Sequence, residues 1–200
     1  TGAVYSRFDR NKHVINEIPF SIENEILKIG IDFNVMNCNA VVCITSGDQL
    51  FIIDEITKQQ DTDALAREIV RRYGRNKILV YPDASGANRS TINASKTDIA
   101  ILQSYGFTSM ALRSNPPIKD RVQTLQALLE NSKGRVRVAI YARCRRLIEC
   151  LELQSYDEKT GDPDKQNGYD HLNDALGYLC YKEFNMIYSR AGNKTGIRIY

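Results

Sequence analysis

The sequence of 200 residues lacks several patterns that mark membrane, secreted or nucleotide-driven proteins. No run of about 18 apolar residues occurs, so no membrane span is expected. The five cysteines are odd in number and include no CxxC pair, which argues against a disulfide framework and a structural zinc site and favours a reducing cytoplasm. The P-loop pattern GxxxxGKS/T is absent, and so are GxGxxG, HExxH and GxSxG.

The first seven residues lack the apolar segment of a signal peptide, and the sequence does not begin with Met, which predicts a piece of a longer protein. Hydrophobic residues make up 42% of the sequence and charged residues 26%, which suits one globular domain with a substantial core. Within the sequence we distinguish a weakly patterned, extended lead-in over residues 1–25, a domain over 26–184, and a basic flexible tail over 185–200.

The net charge of +3 is small, but its distribution is uneven. Six basic residues and no acidic one lie between Lys133 and Ile148, and residues 185–200 carry three basic residues and again no acid. Basic blocks of this kind suit a partner with a phosphate backbone. A solvated basic face explains either block equally well when that block is taken alone.

Hydrophobic periodicity and turn residues divide the chain into strands and helices. Three strand-like runs follow one another closely, and because short connections make neighbouring strands antiparallel, they predict a meander. Each later strand follows a helix, which predicts crossovers and parallel pairing. The predicted strands are 26–33, 40–45, 50–56, 77–81, 107–112 and 135–140, and the predicted helices are 64–73, 96–105, 118–131, 143–153 and 169–184.

These elements predict an α/β fold in which a mixed sheet, made of an antiparallel three-strand meander plus parallel strands, is flanked by helices. The order of elements is that of ribonuclease H-like proteins. Residues 83–95 and 155–168 are polar and rich in turn residues, so both are expected to be loops. We predict that the second loop covers a site formed by the helix that follows it.

Asp32 stands out because it interrupts an apolar strand at Ile29-Gly30-Ile31-Asp32-Phe33. A charged group in such surroundings costs several kcal/mol unless it is paired or binds a cation. Gly30 suits a place where a backbone or a ligand approaches closely. The alternative is that Asp32 lies in solvent at the end of its strand.

Asp83 follows a predicted strand, and the loops beyond strand ends are where sites lie in α/β proteins. Ser85 and Gly86 come next, in a loop whose backbone can approach a phosphate. The alternative is that Asp83 merely forms a turn after Pro82.

The last predicted helix places Asp170, His171 and Asp174 on one face, opposite a core-facing row of leucines. Two like charges at i, i+4 destabilise a helix by about 0.2–0.5 kcal/mol, and a bound cation removes that repulsion. The alternative is that Asp170 caps the helix and Asp174 is a surface acid. We expect that Asp170 does act as the cap and that Asp174 is the ligand.

Three aspartates on separate elements supply the hard oxygen ligands that favour Mg²⁺ or Mn²⁺ over zinc. Two such ions about 3.5–4 Å apart can hold the attacking water and the leaving oxygen of a phosphodiester. The residues therefore predict a metal-dependent site that cuts nucleic acid, with Asp32, Asp83 and Asp174 as its catalytic ligands. The candidate contacts to the nucleic acid are Ser85, Lys119, Arg121 and Arg143.

Three segments carry a resemblance to a known family. They are Gly30-Ile31-Asp32, Tyr81-Pro82-Asp83-Ala84-Ser85-Gly86 and Asp170-His171-Leu172-Asn173-Asp174-Ala175-Leu176-Gly177-Tyr178. They resemble the C-terminal nuclease domain of tailed-bacteriophage large terminase subunits, in particular the short-tailed, headful-packaging enterobacterial type. The third segment is the most specific, since terminase nucleases often end in a helix with the pattern His-x-x-Asp-Ala-Leu-x-Tyr.

The resemblance implies a ribonuclease H-like fold and a two-metal endonuclease that cuts concatemeric double-stranded viral DNA during packaging. It implies that Asp32, Asp83 and Asp174 bind two Mg²⁺ or Mn²⁺ ions, with Asp170 and His171 nearby as further metal contacts. Some relatives carry another acid shortly after the first Asp. This chain has Asn34-Val35-Met36-Asn37-Cys38 there, which favours three main ligands.

The resemblance also implies partners. They are double-stranded DNA, an N-terminal packaging ATPase domain in the full-length protein, the portal protein and the small terminase subunit, all in the host cytoplasm and without a membrane. Two rival functions stay open. One is a DNA- or portal-docking module with a weak or inactive nuclease site, and the other is a different ribonuclease H-like enzyme such as a junction resolvase or a transposase.

Overall fold

The computed structural model describes residues 2–34, 36–87 and 97–184. The predicted basic tail and most of the loop after Asp83 lie outside these ranges. The strands are β1 (Val14–Ile15), β2 (Ile26–Asp32), β3 (Cys38–Ser46), β4 (Gln49–Gln59), β5 (Lys77–Pro82), β6 (Thr108–Ser109) and β7 (Val138–Tyr141). The helices are α1 (Arg10–His13), α2 (Thr62–Tyr73), α3 (Asp98–Ser104), α4 (Ile118–Leu129), α5 (Arg145–Leu153) and α6 (Asp170–Phe184), with a 3₁₀ turn at Ala84–Ala87.

The described strands form one mixed sheet in the order β1-β7-β4-β3-β2-β5-β6. β2, β3 and β4 make the predicted antiparallel meander, while β5 pairs parallel with β2 and β7 pairs parallel with β4. β1 and β6 are short parallel edge strands. The predicted fold class, a mixed sheet flanked by helices, is confirmed.

Alternation along the central strands supplies two cores, one on each face of the sheet. On one face, Leu27, Ile29 and Ile31 of β2 pack with α2 and α3. On the other, Val41 and Cys43 of β3 pack with α4, α5 and α6. No helix in the described ranges is both long and apolar enough to cross a bilayer.

Helix α6 lies directly against β2 because Gly30 leaves room for it. A Cβ atom at position 30 would lie 2.1 Å from the carbonyl oxygen of Ala175, so any other residue there would push the helix away. The prediction of a close backbone approach at Gly30 is confirmed, and the approaching backbone is that of α6. This contact fixes the first turns of α6 beside the end of β2.

The structure differs from the sequence-based prediction over residues 1–25. These residues are not an extended lead-in, because they contribute α1 and β1 to the folded unit. Val4 and Tyr5 are buried in the core that contains α4, α5 and α6, and the buried ring of His13 bonds to the carbonyl oxygen of Leu129 at 2.9 Å. Periodicity missed this segment because α1 has four residues and β1 only two.

Smaller differences concern element ends and one side chain. β4 continues to Gln59, since Gln59 still pairs with Cys38, whereas β6 is reduced to two residues. Val70 of α2 is apolar, yet it is 40% exposed. Leu65 and Ile69 already fill the inner stripe of that helix, which leaves Val70 at its border.

Candidate metal centre

A cleft of about 480 Å³ opens where β2 and β5 end and α6 begins. Asp32, Asp83 and Asp174 line it, together with Asp170 and His171. Because β2 and β5 are parallel neighbours, the residues that follow them lie at the same edge of the sheet. The acids that the sequence analysis selected therefore share one cleft.

Asp32 is the last residue of β2 and is only 6% exposed. Its Oδ2 accepts a hydrogen bond of 2.5 Å from Asn34 Nδ2 and lies 3.1 Å from Nδ1 of His171. Burial raises the pKa of Asp32, the bond to His171 opposes that rise, and the charges of Asp174 and Asp83 add to it. The alternative of a solvated Asp32 is therefore wrong.

Asp83 follows β5 and continues its pairing, since its backbone N–H donates to the carbonyl oxygen of Ile31 at 3.0 Å. Its Oδ1 accepts bonds from Asn115 Nδ2 at 2.5 Å and from the backbone N–H of Ser85 at 2.7 Å. Asn115 Oδ1 in turn accepts a bond of 2.8 Å from the backbone N–H of Ala84. The carboxylate of Asp83 is thus held in one orientation, at 9% exposure.

Asp170 is the first residue of α6, so it lies in the first turn and does not precede the helix as the predicted cap. Its side chain is buried, and Oδ1 has no hydrogen-bond partner in the described part of the chain. Burial raises the pKa of Asp170, although the nearby His171 counteracts this. His171 itself has a raised pKa, chiefly through its hydrogen bond to Asp32, with burial opposing and the charge of Asp170 adding to the rise.

Asp174 lies one turn further along α6 and contacts two cations. Its Oδ1 is 2.7 Å from Arg121 Nη1, and its Oδ2 is 3.4 Å from Lys165 Nζ. The side chain of Arg121 is only 6% exposed, and its guanidinium lies 4.5 Å from the ring centre of Tyr178. Lys165 belongs to the predicted covering loop, so one part of that loop does reach the cleft.

The predicted nucleic-acid contacts fall in different places. Arg121 lines the cleft, whereas Ser85 borders it through its backbone bond to Asp83, and Lys119 is exposed and is not in the cleft lining. Arg143 forms an ion pair with Asp54, with its Nη2 2.9 Å from Oδ1 of that residue. Asp54 does not line the cleft. In the same basic block, Arg135 pairs with Asp48 and Arg146 with Glu149.

Sequence reasoning missed three residues that orient the acids. Asn34 and Asn115 donate to Asp32 and Asp83, and Lys165 contacts Asp174. Asn34 is two residues beyond Asp32, so its proximity was a usable signal. Asn115 and Lys165 lie 32 and nine residues from the acids that they contact, inside segments that look like ordinary loops.

The comparison with protein families decides the relationship. The model described as the terminase RNaseH-like domain matches residues 29–183, which runs from β2 to the end of α6 and includes every acid of the cleft. The chain belongs to this family. No curated protein matches the chain.

Solved structures similar to this terminase RNaseH-like domain share its fold at low sequence identity. The large terminase of a thermophilic bacteriophage matches with a TM-score of 0.70 and 19% identity, over 91% of this chain and 44% of that one. The chain therefore spans less than half the length of that relative. The large terminase nuclease of the thermophilic phage G20c, solved with bound magnesium, matches with a TM-score of 0.63 and 14% identity, over 89% and 96% of the two chains. The g2p nuclease domain of bacteriophage SPP1, solved with bound manganese, matches with a TM-score of 0.57 and 15% identity, over 86% and 96%.

The donor atoms that line the cleft are of the kind that a hard divalent cation binds. Four carboxylates face a partly buried cleft, and one buried carboxylate oxygen of Asp170 has no partner among the described residues. The acids do not yet form a coordination shell. In the described ranges, no group of three Asp, Glu, His or Cys side chains is close enough together to hold an ion. Arg121 and Lys165 occupy Asp174 instead, so binding of a cation at that acid requires these contacts to rearrange.

Proposed function

We propose that this domain is a divalent-metal-dependent endonuclease that cuts concatemeric double-stranded viral DNA during genome packaging. The observation that carries the proposal is the meeting of Asp32, Asp83 and Asp174 in one cleft of a terminase RNaseH-like chain. The bound magnesium and manganese in the G20c and SPP1 nucleases support a divalent cation as cofactor.

Two Mg²⁺ or Mn²⁺ ions, when bound, would neutralise the phosphodiester and activate a water for its hydrolysis. Asp32 and Asp83 would hold one ion and Asp174 the other, with Asp170 and His171 beside them. The family fold does not carry this assignment by itself. It rests on the position of each carboxylate at the cleft and on the preference of such ions for oxygen ligands.

The surrounding polar residues orient the acids before any cation binds. Asn115 and the backbone of Ser85 fix Asp83, and Asn34 fixes Asp32. Loss of such outer contacts typically costs about 10–100-fold in metal affinity or activity. Arg121 forms an ion pair with Asp174 and lines the cleft where a DNA phosphate would enter. Its guanidinium can therefore release the Asp174 carboxylate and bind the phosphate.

The length of one relative supports a further domain beside this one. Because the chain covers 44% of the longer large terminase that it matches, we propose that the full-length protein also contains an N-terminal packaging ATPase domain. That protein would act with the portal protein and the small terminase subunit in the host cytoplasm, on double-stranded DNA.

The proposal is tested by incubating supercoiled plasmid with the protein and Mg²⁺, Mn²⁺, Ca²⁺ or EDTA. We expect nicking and linearisation with Mn²⁺ or Mg²⁺, and none with EDTA. Asp32→Ala and Asp83→Ala should abolish the Mn²⁺-dependent reaction while leaving the circular dichroism spectrum unchanged. Full activity in either variant would contradict the two-metal assignment.

A DNA- or portal-docking module with an inactive site is the second candidate, and one observation favours it: Asp174 is already occupied by Arg121 and Lys165. It predicts that the protein retards DNA on a gel but does not cut the DNA, whichever metal ion is added. Preference for four-way junctions over linear duplex would point instead to a resolvase-like enzyme.

A further inference from the structure

A second cavity of about 520 Å³ adjoins the metal cleft, and His171 lines both. The two differ in charge. The metal cleft has four aspartates in its lining, whereas the lining of the second cavity contains Lys58, Arg146 and several neutral polar groups but no carboxylate. We call this second cavity the basic groove; its other lining residues are Asn37, Asn39, Thr57, Cys150, Gly168, His171 and Leu172.

One wall of the basic groove is built around the buried side chain of Asn39, which is 4% exposed. Asn39 Nδ2 donates to the carbonyl oxygen of Asn37 at 2.6 Å, and its Oδ1 accepts from the backbone N–H of Lys58 at 3.2 Å. Lys58 is held there with a φ of +55°, in the left-handed region that residues with a side chain seldom adopt. The fold therefore holds a lysine at this wall at a conformational cost.

The ammonium of Lys58 is available to a ligand. Its side chain is exposed, and no carboxylate in the described ranges lies within ion-pair distance of it. This distinguishes it from Arg135, Arg143 and Arg146, three of the six basic residues between Lys133 and Ile148, which already pair with acids.

Arg146 also lines the basic groove and is fixed in place. Its Nη2 donates to the carbonyl oxygen of Gly168 at 2.9 Å, and its guanidinium lies 4.8 Å from the ring centre of Tyr169. Nη1 is 2.6 Å from Glu149, which offsets part of its charge. Lys58 is therefore the main cation that the groove presents, and Arg146 shapes the wall.

We propose that the basic groove binds the sugar–phosphate backbone of the DNA strand next to the phosphate that enters the metal cleft. The inference rests on the proposed function and adds the path of the substrate to it. Phosphates that flank the reacting one are repelled by the four aspartates, and they need cationic or neutral polar groups along their path. The groove supplies such groups and begins at His171, on the border of the acidic site.

The first test compares Lys58→Gln with Lys77→Gln. Lys77 is also exposed, but it lies at the opposite end of β5 from Asp83. Binding of a fluorescent duplex is measured by anisotropy in EDTA, which prevents metal-dependent cutting, over a series of salt concentrations. Loss of one phosphate contact should reduce the slope of log K against log salt by about one. Since each such contact contributes a slope of about 0.9, affinity at 0.1 M salt should fall roughly eightfold.

Lys77→Gln should bind as the unsubstituted protein does, and Lys58→Arg should restore most of the affinity that Lys58→Gln loses. The inference is overturned if Lys58→Gln and Lys77→Gln give the same affinity and the same slope. It is also overturned if the domain does not bind the duplex at all. A thermal unfolding curve for each variant excludes loss of fold as the cause.

The second test locates the DNA directly. All five native cysteines are buried, so Lys58→Cys adds one accessible thiol that can be labelled with an iron–EDTA reagent. Radical cleavage from position 58 should mark the duplex within a few nucleotides of the site that Mn²⁺-dependent cutting selects. The same label on Lys77→Cys should give only weak, unlocalised cleavage, and equal patterns from the two positions would refute the groove.

The proposed function is judged by a separate readout, the Mn²⁺-dependent hydrolysis of bis(p-nitrophenyl) phosphate by the unsubstituted protein. This ester carries one phosphate and no flanking phosphates, so it offers nothing to a groove that binds a sugar–phosphate backbone. Absence of hydrolysis together with a normal Lys58 effect on DNA binding would contradict the nuclease assignment and keep the groove. Hydrolysis together with no Lys58 effect would do the reverse.

Discussion

Asp32 and Asp54 occupy similar places in the sequence, because each interrupts an apolar strand of the meander. Both are buried, at 6% and 3% exposure. Their partners differ. Asp54 is surrounded by donors, since Arg72 Nη1 and the hydroxyl of Tyr73 bond its Oδ2 at 2.8 and 2.6 Å, and Arg143 Nη2 lies 2.9 Å from its Oδ1.

Asp32 has an amide and a histidine as partners and three further aspartates in the same cleft. Burial of a carboxylate in a strand is therefore common to an acid of an ion cluster and to a proposed metal ligand. The distinction lies in what surrounds it: a complete set of cations and hydroxyls makes a fixed ion cluster, whereas a group of acids retains a demand for positive charge.

The largest expected difference between the two acids is in catalysis. We expect Asp32→Asn to reduce Mn²⁺-dependent plasmid cleavage by at least about 100-fold, because a catalytic cation contributes several kcal/mol and each 1.4 kcal/mol corresponds to about tenfold in rate. Asp54→Asn should keep the cleavage rate per folded molecule within about twofold of the unsubstituted protein, because only groups that act in the transition state change that rate. A comparable loss in both variants would remove the distinction.

Gly30 tests whether the cleft depends on the packing of α6. Gly30→Ala places a Cβ atom 2.1 Å from the Ala175 carbonyl oxygen, so we expect a loss of about 1–3 kcal/mol in the free energy of unfolding, together with reduced cleavage. Gly2→Ala is the matched control, since its Cβ meets nothing within 4 Å. Urea titration measures both, and equal stability of the two variants would contradict the packing argument.

The ion cluster around Asp54 should stabilise the fold, whereas the charge of Asp32 should not. Asp54→Ala leaves the buried hydroxyl of Tyr73 and the guanidinium of Arg72 without their acceptor, and we expect a loss of about 1–3 kcal/mol. Asp32→Asn should keep or raise the melting temperature, because a buried charge among other acids is removed. A destabilised Asp32→Asn beside a stable Asp54→Ala would reverse the comparison.

Glu55, next to Asp54, gives a smaller effect that depends on pH. Burial raises the pKa of Glu55. The hydrogen bonds that it accepts from the backbone N–H groups of Arg146 and Leu147, at the start of α5, oppose that rise. A raised folded-state pKa means that the stability contribution is complete below the ordinary value of 4.5 and is lost as pH rises through the folded value. The unfolding free energy of the unsubstituted protein minus that of Glu55→Gln should therefore fall as pH rises above 4.5. A difference that grows with pH would show that the N–H bonds outweigh burial.

The smallest effect concerns Lys165, whose side chain is 53% exposed and 3.4 Å from Asp174. Lys165→Ala should change the unfolding free energy by less than about 0.5 kcal/mol. Removing a positive charge beside a proposed ligand should tighten Mn²⁺ binding by up to about fivefold, as measured by calorimetry. Lys159→Ala, an exposed position on the same loop, should change neither quantity, and tighter binding in both variants would exclude a local effect of Lys165.

The sequence predicted the fold well because the elements that build it have a clear period. The strands of the meander are nearly continuous apolar runs, and the leucine faces of α4 and α5 are long enough to record which side is buried. Edge elements were not predictable in this way, since α1 has only four residues and the two residues of β1 owe their structure to pairing with β7.

The acids selected from the sequence lie together in one cleft, but the contacts that orient them could not be predicted. Asp32 and Asp83 end strands, a position that a sequence records, whereas Asn115 reaches Asp83 from a distant loop. The same limit explains Arg143, which looks like a free basic residue until the folded sheet brings Asp54 to it. Long-range polar partners depend on tertiary packing, which local composition does not encode.

The contact between Gly30 and Ala175 joins a strand to a helix that is synthesised about 145 residues later. While the ribosome adds about 5–20 residues per second, Asp32 and Asp83 emerge well before Asp174. The acidic cleft cannot close until α6 has left the exit tunnel and settled on β2. During its own synthesis the chain therefore carries separated carboxylates and no assembled centre.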